Sequence, residues 1–279
     1  MKNLKGKNAL LTGGSMGIGP NIARVLASEG VNIALSARSE DKLTAVAKEL
    51  TRNNVRAIAV PADVTDPDSR EKMVEKVKNE FGQIDLLINN AGIEWLSSFN
   101  DLSQQEIEHM IQTNLIAPLM ITRLVLPDML KNNTGHIVTM SSLGGKKGSP
   151  YSATYAATKA GLIAWTSSLR AELYKTEVSA SVVCPGLISD TGMFAAYNKK
   201  APKIIGESKP EDVYKAVVKC IKKDIQEIVV NPGSTKLMML IDAINPNIIT
   251  SILRKTGVHD FFHQQAEDNK KQQQKGVDV

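Results

Sequence analysis

One stretch near the N-terminus constrains this chain more than any other: Thr12-Gly13-Gly14-Ser15-Met16-Gly17-Ile18-Gly19. It follows the apolar run 8–11 and leads into a periodic stretch carrying Ile22, Val25 and Leu26, so it reads as strand, glycine turn, helix. A helix N-terminus presents unpaired backbone N–H groups and the positive end of a dipole, which suits a phosphate. Gly13 permits the tight turn, Gly17 the close approach of backbone to a pyrophosphate, and Gly19 the packing of helix on strand. Ser15, Met16 and Ile18 complete the candidate cofactor turn. The spacing is Gly-x-x-x-Gly-x-Gly, distinct from the commoner Gly-x-Gly-x-x-Gly.

Short aliphatic runs at 8–11, 32–36, 56–60, 86–88, 136–140, 179–183 and 227–230 alternate with longer periodic segments at 42–50, 68–81, 104–130 and 154–174. Such alternation implies right-handed βαβ units, hence a doubly wound α/β domain on a parallel sheet with its ligand at the carboxyl ends of the strands. At 279 residues, 42% hydrophobic and 23% charged, the chain can bury one large core, and no repeat or linker divides it.

Tyr155 and Lys159 are one helical turn apart on one face. A nearby cation stabilises phenolate, drawing a pKa of about 10 towards working pH, so this tyrosine can pass a proton to or from a carbonyl oxygen.

Taken together, these motifs resemble the short-chain dehydrogenase/reductase family. Asn89-Asn90-Ala91-Gly92 is similar to its segment after the fourth strand, Asp63-Val64 to its adenine-contacting pair, and Pro185-Gly186, followed by Ile188, to its nicotinamide-side turn. Asn114, Ser142, Tyr155 and Lys159 match its catalytic tetrad, Ser142 lying thirteen positions before the tyrosine. The resemblance covers about Lys5 to Pro232. It implies a Rossmann fold with seven strands in the order 3-2-1-4-5-6-7, and hydride transfer between a nicotinamide cofactor and a ketone, aldehyde or alcohol. It also gives Tyr155 the proton transfer, Lys159 the nicotinamide ribose, Ser142 the substrate oxygen, and Asn114 a water leading to solvent. A homodimer or homotetramer in the cytoplasm is expected.

The second strand ends in Ser36-Ala37-Arg38, with no acidic residue to repel a 2′-phosphate, so NADP(H) is expected over NAD(H). Two positions depart from the family: Met16 stands where many NADP-linked relatives carry a basic residue, and Asp190 where threonine is usual. Trp95, Leu143, Leu187, Met193 and Phe194 are the candidate substrate wall, apolar enough for a lipophilic carbonyl compound.

A net charge of +5 is dispersed and aromatics are only 4%, which argues against nucleic-acid binding. Cys184 and Cys220 lack metal spacing, and His259-Asp260-Phe261-Phe262-His263 lacks both the glutamate of a zinc-protease helix and a third ligand, so no metal is expected. Neither a signal peptide nor a spanning helix is expected. The catalytic domain is expected over 1–235, an apolar helical extension over 236–263 and a polar, disordered tail over 264–279. Within the extension, runs 237–241 and 248–253 flank Asn245-Pro246 and read as two short helices. They could pack on the domain, complete a subunit interface, extend the pocket or touch a membrane beside Arg254 and Lys255. Two other readings stay open for the whole chain: a catalytically silent cofactor-binding scaffold or sensor, and a membrane-surface protein.

Overall fold

The computed structural model describes residues 1–195, 199–232 and 235–274. Seven strands form one parallel sheet in the order β3-β2-β1-β4-β5-β6-β7, as expected: β1 Asn8–Thr12, β2 Asn32–Ala37, β3 Ala57–Pro61, β4 Leu86–Asn89, β5 Gly135–Met140, β6 Val178–Pro185 and β7 Glu227–Val230. The central strands β1, β4 and β5 are buried along their whole length, because helices cover both faces. The strand order reverses between β1 and β4, and at such a point the connecting loops part to leave a crevice at the carboxyl ends.

The helices are α1 Gly19–Ser28, α2 Glu40–Leu50, α3 Pro67–Phe81, α4 Gln104–Ile111, α5 Ala117–Lys131, α6 Ala153–Glu172, α7 Gly192–Ala195, α8 Pro210–Lys223, α9 Thr235–Ile244, α10 Pro246–Lys255 and α11 Val258–Gln274. One face of the sheet buries Ile22 and Leu26 of α1, Leu43 and Leu50 of α2, and Val213, Val217 and Ile221 of α8. The other buries Met73 and Val77 of α3 and Ile121, Val125 and Met129 of α5. Local signals set the boundaries: Asp66 caps α3 by accepting from the Asp68 and Ser69 N–H groups, and Ser103 with Glu106 forms a capping box on α4.

The expected single helix over 104–130 is two α-helices joined by a π-helical turn, Gln112–Ile116, that carries Asn114. This rod is the one stretch among the described residues long and apolar enough to cross a membrane, yet Met110, Ala117, Ile121, Val125 and Met129 are buried in the protein. It is a core element.

α9 and α10 meet at Asn245-Pro246, where Asn245 Oδ1 accepts from the Asn247 N–H at 3.1 Å. The expected disordered tail from 264 is corrected: α11 is helical as far as Gln274, and Val258, Phe262, Gln265, Ala266 and Asn269 make one buried stripe on it. Their spacing repeats a helical face. Leu96, Val258 and Phe262 form a small separate core with Tyr151, Ile204, Ile205, Leu253 and Phe261 packed against it. The rest of that tail, 275–279, lies outside the described residues.

Candidate active site

The glycine turn leaves β1 and is locked to the loop after β4. Thr12 Oγ1 accepts from the Asn90 and Ala91 N–H groups at 3.1 and 3.2 Å, and Asn90 Nδ2 donates to the Thr12 and Gly13 carbonyls. Gly13 sits at φ 70°, and a Cβ there would come within 2.8 Å of Asn90 Nδ2. A Cβ on Gly19 would fall 2.0 Å from the Gly13 carbonyl oxygen, so no side chain fits between turn and helix.

The cradle fits an anionic dinucleotide. No side chain caps α1, Asn90 Oδ1 is buried with no hydrogen-bond partner, and Arg38 is exposed at the end of β2. Asp63 holds the end of β3: burial works to raise its pKa, but hydrogen bonds from Thr65 and the charge of Arg38 hold the carboxyl below its usual range. Val64, buried beside it, has its carbonyl bound by Arg70. Met16, which takes the position of a basic residue, is exposed at the rim.

The tetrad residues come from three parts of the chain, Asn114 from the π-helical turn, Ser142 from the segment after β5, and Tyr155 and Lys159 from α6, and converge around two glycines. Lys159 lies on α6, buried, with Nζ donating to the Met140 carbonyl at 3.0 Å and standing 5.4 Å from the centre of the Tyr155 ring. A Cβ on Gly92 would meet both Asn114 Oδ1 and Lys159 Nζ at 3.3 Å, and one on Gly144 would meet Ser142 Oγ at 3.4 Å and Tyr155 Cε1 at 3.8 Å. Ser142 lies two residues beyond β5 and accepts from the Gly144 N–H at 3.0 Å, which leaves its own proton to point elsewhere. Behind it, Ser141 donates to the Lys159 carbonyl at 2.8 Å, fixing strand to helix.

Burial pulls the Lys159 ammonium down to about 8, with Glu94 acting against burial. An ammonium at that point on the scale exchanges protons near neutrality.

After β6, a Cβ on Gly186 would fall 2.0 Å from Asn231 Oδ1, and the chain then runs alongside Ser208, whose N–H donates to the Leu187 carbonyl and which bridges to Ile188. Asp190 takes a left-handed conformation at φ 61°, turning the chain so that a Cβ on Gly192 would lie 3.8 Å from Ile18 Cγ2 and one on Gly17 3.7 Å from the Gly192 Cα. The loop from 187 to 192 therefore closes back onto the glycine turn. Of the expected wall, Trp95 and Leu143 are half-buried, Trp95 with its ring 5.7 Å from that of His109, and Leu187 follows Gly186. Phe194 is buried with its ring 6.2 Å from Phe261 of α11, whereas Met193 is exposed.

Three contributors escaped the sequence reading. Thr12 is the clamp between the two cofactor-side loops, Glu94 accepts from Ser152 Oγ at 2.5 Å, and α11 packs over Leu96 of the loop after β4. His259 and His263 flank the Tyr151 ring, at 5.7 and 5.2 Å between centroids.

Fold and site together define a nucleotide-dependent oxidoreductase of the doubly wound class. The short chain dehydrogenase family matches residues 7–202, and the chain belongs to that family. It is 42% identical over 276 residues to the ketoacyl reductase HetN of Nostoc sp. strain PCC 7120, covering 97% of this chain and 96% of that one. Among solved structures, a variant of actinorhodin polyketide ketoreductase with NADPH superposes with a TM-score of 0.76 at 30% identity, over 82% of this chain and 97% of that one. A metagenomic short-chain oxidoreductase in complex with NADP gives a TM-score of 0.72 at 31% identity, over 84% and 100%.

Proposed function

We propose that the protein is an NADP(H)-dependent reductase of ketones or aldehydes, acting on a lipophilic carbonyl compound of the 3-oxoacyl type. The observation that carries this reading is the convergence of Ser142, Tyr155, Lys159 and Asn114 around Gly92 and Gly144, at the foot of the glycine cradle. Arg38 and the absence of an acidic residue at the end of β2 support the phosphorylated cofactor. The ketoacyl reductase similar to this chain over nearly its whole length supports the substrate class.

NADPH, when bound, supplies a hydride for the carbonyl carbon. Tyr155 gives its phenolic proton to the carbonyl oxygen, and Ser142, whose lone pair is taken by the Gly144 N–H, donates a hydrogen bond to that same oxygen. The Lys159 ammonium keeps the phenol acidic and binds the ribose hydroxyls. Asn114 holds the Gly92-Ile93 backbone in register with Lys159. Alcohol forms as one hydride and one proton arrive on opposite ends of the carbonyl bond.

The same reading makes the protein a cytoplasmic homodimer or homotetramer. Leu237, Leu240, Ile244 and Ile248 are exposed along α9 and α10, with Arg254 and Lys255 exposed beside them, a face suited to a second subunit or to peripheral contact with an anionic membrane. Light scattering and vesicle co-sedimentation separate the two.

The test is NADPH consumption with a panel of ketones, aldehydes and 3-oxoacyl thioesters, with Tyr155→Phe as control. Saturable NADPH binding with no turnover of any member would replace this reading by a silent cofactor-binding scaffold or sensor.

A further inference from the structure

Glu94 is two residues beyond Gly92 and belongs to none of the roles above. Its Oε1 accepts from Ser152 Oγ at 2.5 Å, and Ser152 is the residue at which α6 begins, with its carbonyl receiving the Ala156 N–H at 2.8 Å. The next loop contact is parallel: the Ser97 N–H donates to the Tyr151 carbonyl at 2.9 Å. The segment after β4 is thus fastened to the first turn of the helix that carries Tyr155 and Lys159. The buried Lys159 ammonium donates to a neutral acceptor, the Met140 carbonyl, and Glu94 acts on its charge through space.

We propose that Glu94 is a positioning residue of the active site, whose carboxylate tethers the start of α6 and holds Lys159 in its ammonium form beside Tyr155. The assignment of roles to Lys159 and Tyr155 rests on the proposed reductase reading.

The groups facing this pair are few. Tyr155 comes from the same helix, Cys184 from β6, and Asn114, which is neutral, from the π-helical turn. Burial pushes the Cys184 thiol up to about 12, so it carries no charge at working pH. His259 and His263 lie against the ring of Tyr151, one residue before Ser152. Glu94 is the acidic group that acts on Lys159. Burial pushes the Glu94 carboxyl above its ordinary range, opposed by the Ser152 hydrogen bond and the Lys159 charge, so the two groups sustain each other's ionisation. Removing the negative charge makes protons leave the Lys159–Tyr155 couple more easily.

Glu94→Gln removes the charge and keeps an oxygen that accepts from Ser152, so the fold and the tether survive. NMR of Cε-labelled lysine, with the Lys159 signal identified by its loss in Lys159→Met, reads the ammonium directly and needs no turnover. Glu94→Gln should lower the Lys159 midpoint by about 1 pH unit, the scale of one opposite charge nearby. Coincident titrations in parent and variant overturn the charge role. Ser152→Ala cuts the tether and also takes away a hydrogen bond that favours the ionised Glu94 carboxyl; at a pH where the Lys159 NMR signal matches the parent's, it should lower kcat for a 3-oxoacyl thioester about tenfold with the KM for NADPH unchanged, and an unchanged kcat overturns the tether. A parent protein that titrates as described but turns over no carbonyl compound would count against the reductase reading and leave the charge role standing.

Discussion

Asn114 grips the backbone of Ile93 from both sides: its Oδ1 accepts from the Ile93 N–H and its Nδ2 donates to the Ile93 carbonyl, each at 2.8 Å. The side chain is fully buried and also reaches Thr158 Oγ1 at 3.3 Å, so one residue in a π-helical turn joins the cofactor-side loop to the catalytic helix. Asn114→Asp keeps the shape but turns a donor into a second acceptor facing the Ile93 carbonyl. Turnover should fall at least tenfold and the melting temperature by several degrees, since a buried backbone group left unpaired costs about 1–3 kcal/mol. Parent-like stability and rate in that variant would remove Asn114 from the site.

Tyr155→Phe deletes one hydroxyl and leaves the ring on which Lys159 packs. Carbonyl reduction should drop by at least about 10²-fold, the scale of a positioned general acid, with NADPH affinity nearly unchanged. Steady-state kinetics alongside NADPH fluorescence titration check both halves.

Arg38 stands exposed just after β2, where it would hold the 2′-phosphate of the proposed cofactor, and Asp63 is its nearby opposite charge. The parent should prefer NADPH over NADH, and Arg38→Ala should narrow the gap through the KM for NADPH by roughly tenfold to a hundredfold, the equivalent of about 1.5 to 3 kcal/mol for a charge-assisted contact. Equal efficiencies with both cofactors in the parent protein would refute the assignment.

His136, far from the chemistry at the start of β5, sets a pH dependence of stability. Ser181 Oγ commits its proton to the Ile225 carbonyl, so His136 Nε2 must donate in its 2.8 Å contact with that oxygen, and the ring is buried and neutral. Burial lowers its pKa to about 4, against the pull of Asp224. Between about 4 and the ordinary 6.5 the unfolded chain binds more protons than the folded one, so stability present above 6.5 is lost as the pH falls towards 4. The loss is at most about 3 kcal/mol. Urea midpoints across this range should slope accordingly, and His136→Gln should flatten the slope.

Much of the fold was legible because parallel strands buried on both faces read as aliphatic runs, and each run falls within a residue or two of a strand. The π-helical turn was not, since one extra residue in a rod of continuous helical pattern leaves no compositional mark. Glu94 was invisible for another reason. A single acid in a loop has no periodicity or spacing, and its meaning comes only from Ser152, fifty-eight positions away. The part of the last helix beyond 263 was misread as tail because two of its buried positions are polar, Gln265 and Asn269, the latter donating to the Leu96 carbonyl at 3.2 Å.

That helix carries the final prediction. α11 is tied to the loop after β4 by Asn269 and by the Lys270–Asp101 ion pair at 2.9 Å, and to the segment after β6 by Lys199–Asp268 at 2.5 Å. Between these ties Phe261 faces Phe194, and Phe262 packs with Leu96, so the helix supplies apolar cover to the loops that carry Trp95, Leu187 and Phe194. If this cover meets the substrate, each methylene added to the acyl chain should contribute about 0.8 kcal/mol, roughly fourfold in kcat/KM, until the pocket is filled. A chain ending at Thr256 should keep NADPH binding, because the cradle is built from β1, α1 and the loop after β4. It should nonetheless lose the dependence on chain length. Phe261→Ala should flatten it in part without exposing the whole face. Kinetics with 3-oxoacyl thioesters of increasing length decide the matter: a flat response in the intact protein, unchanged in both variants, would reduce α11 to a structural strap.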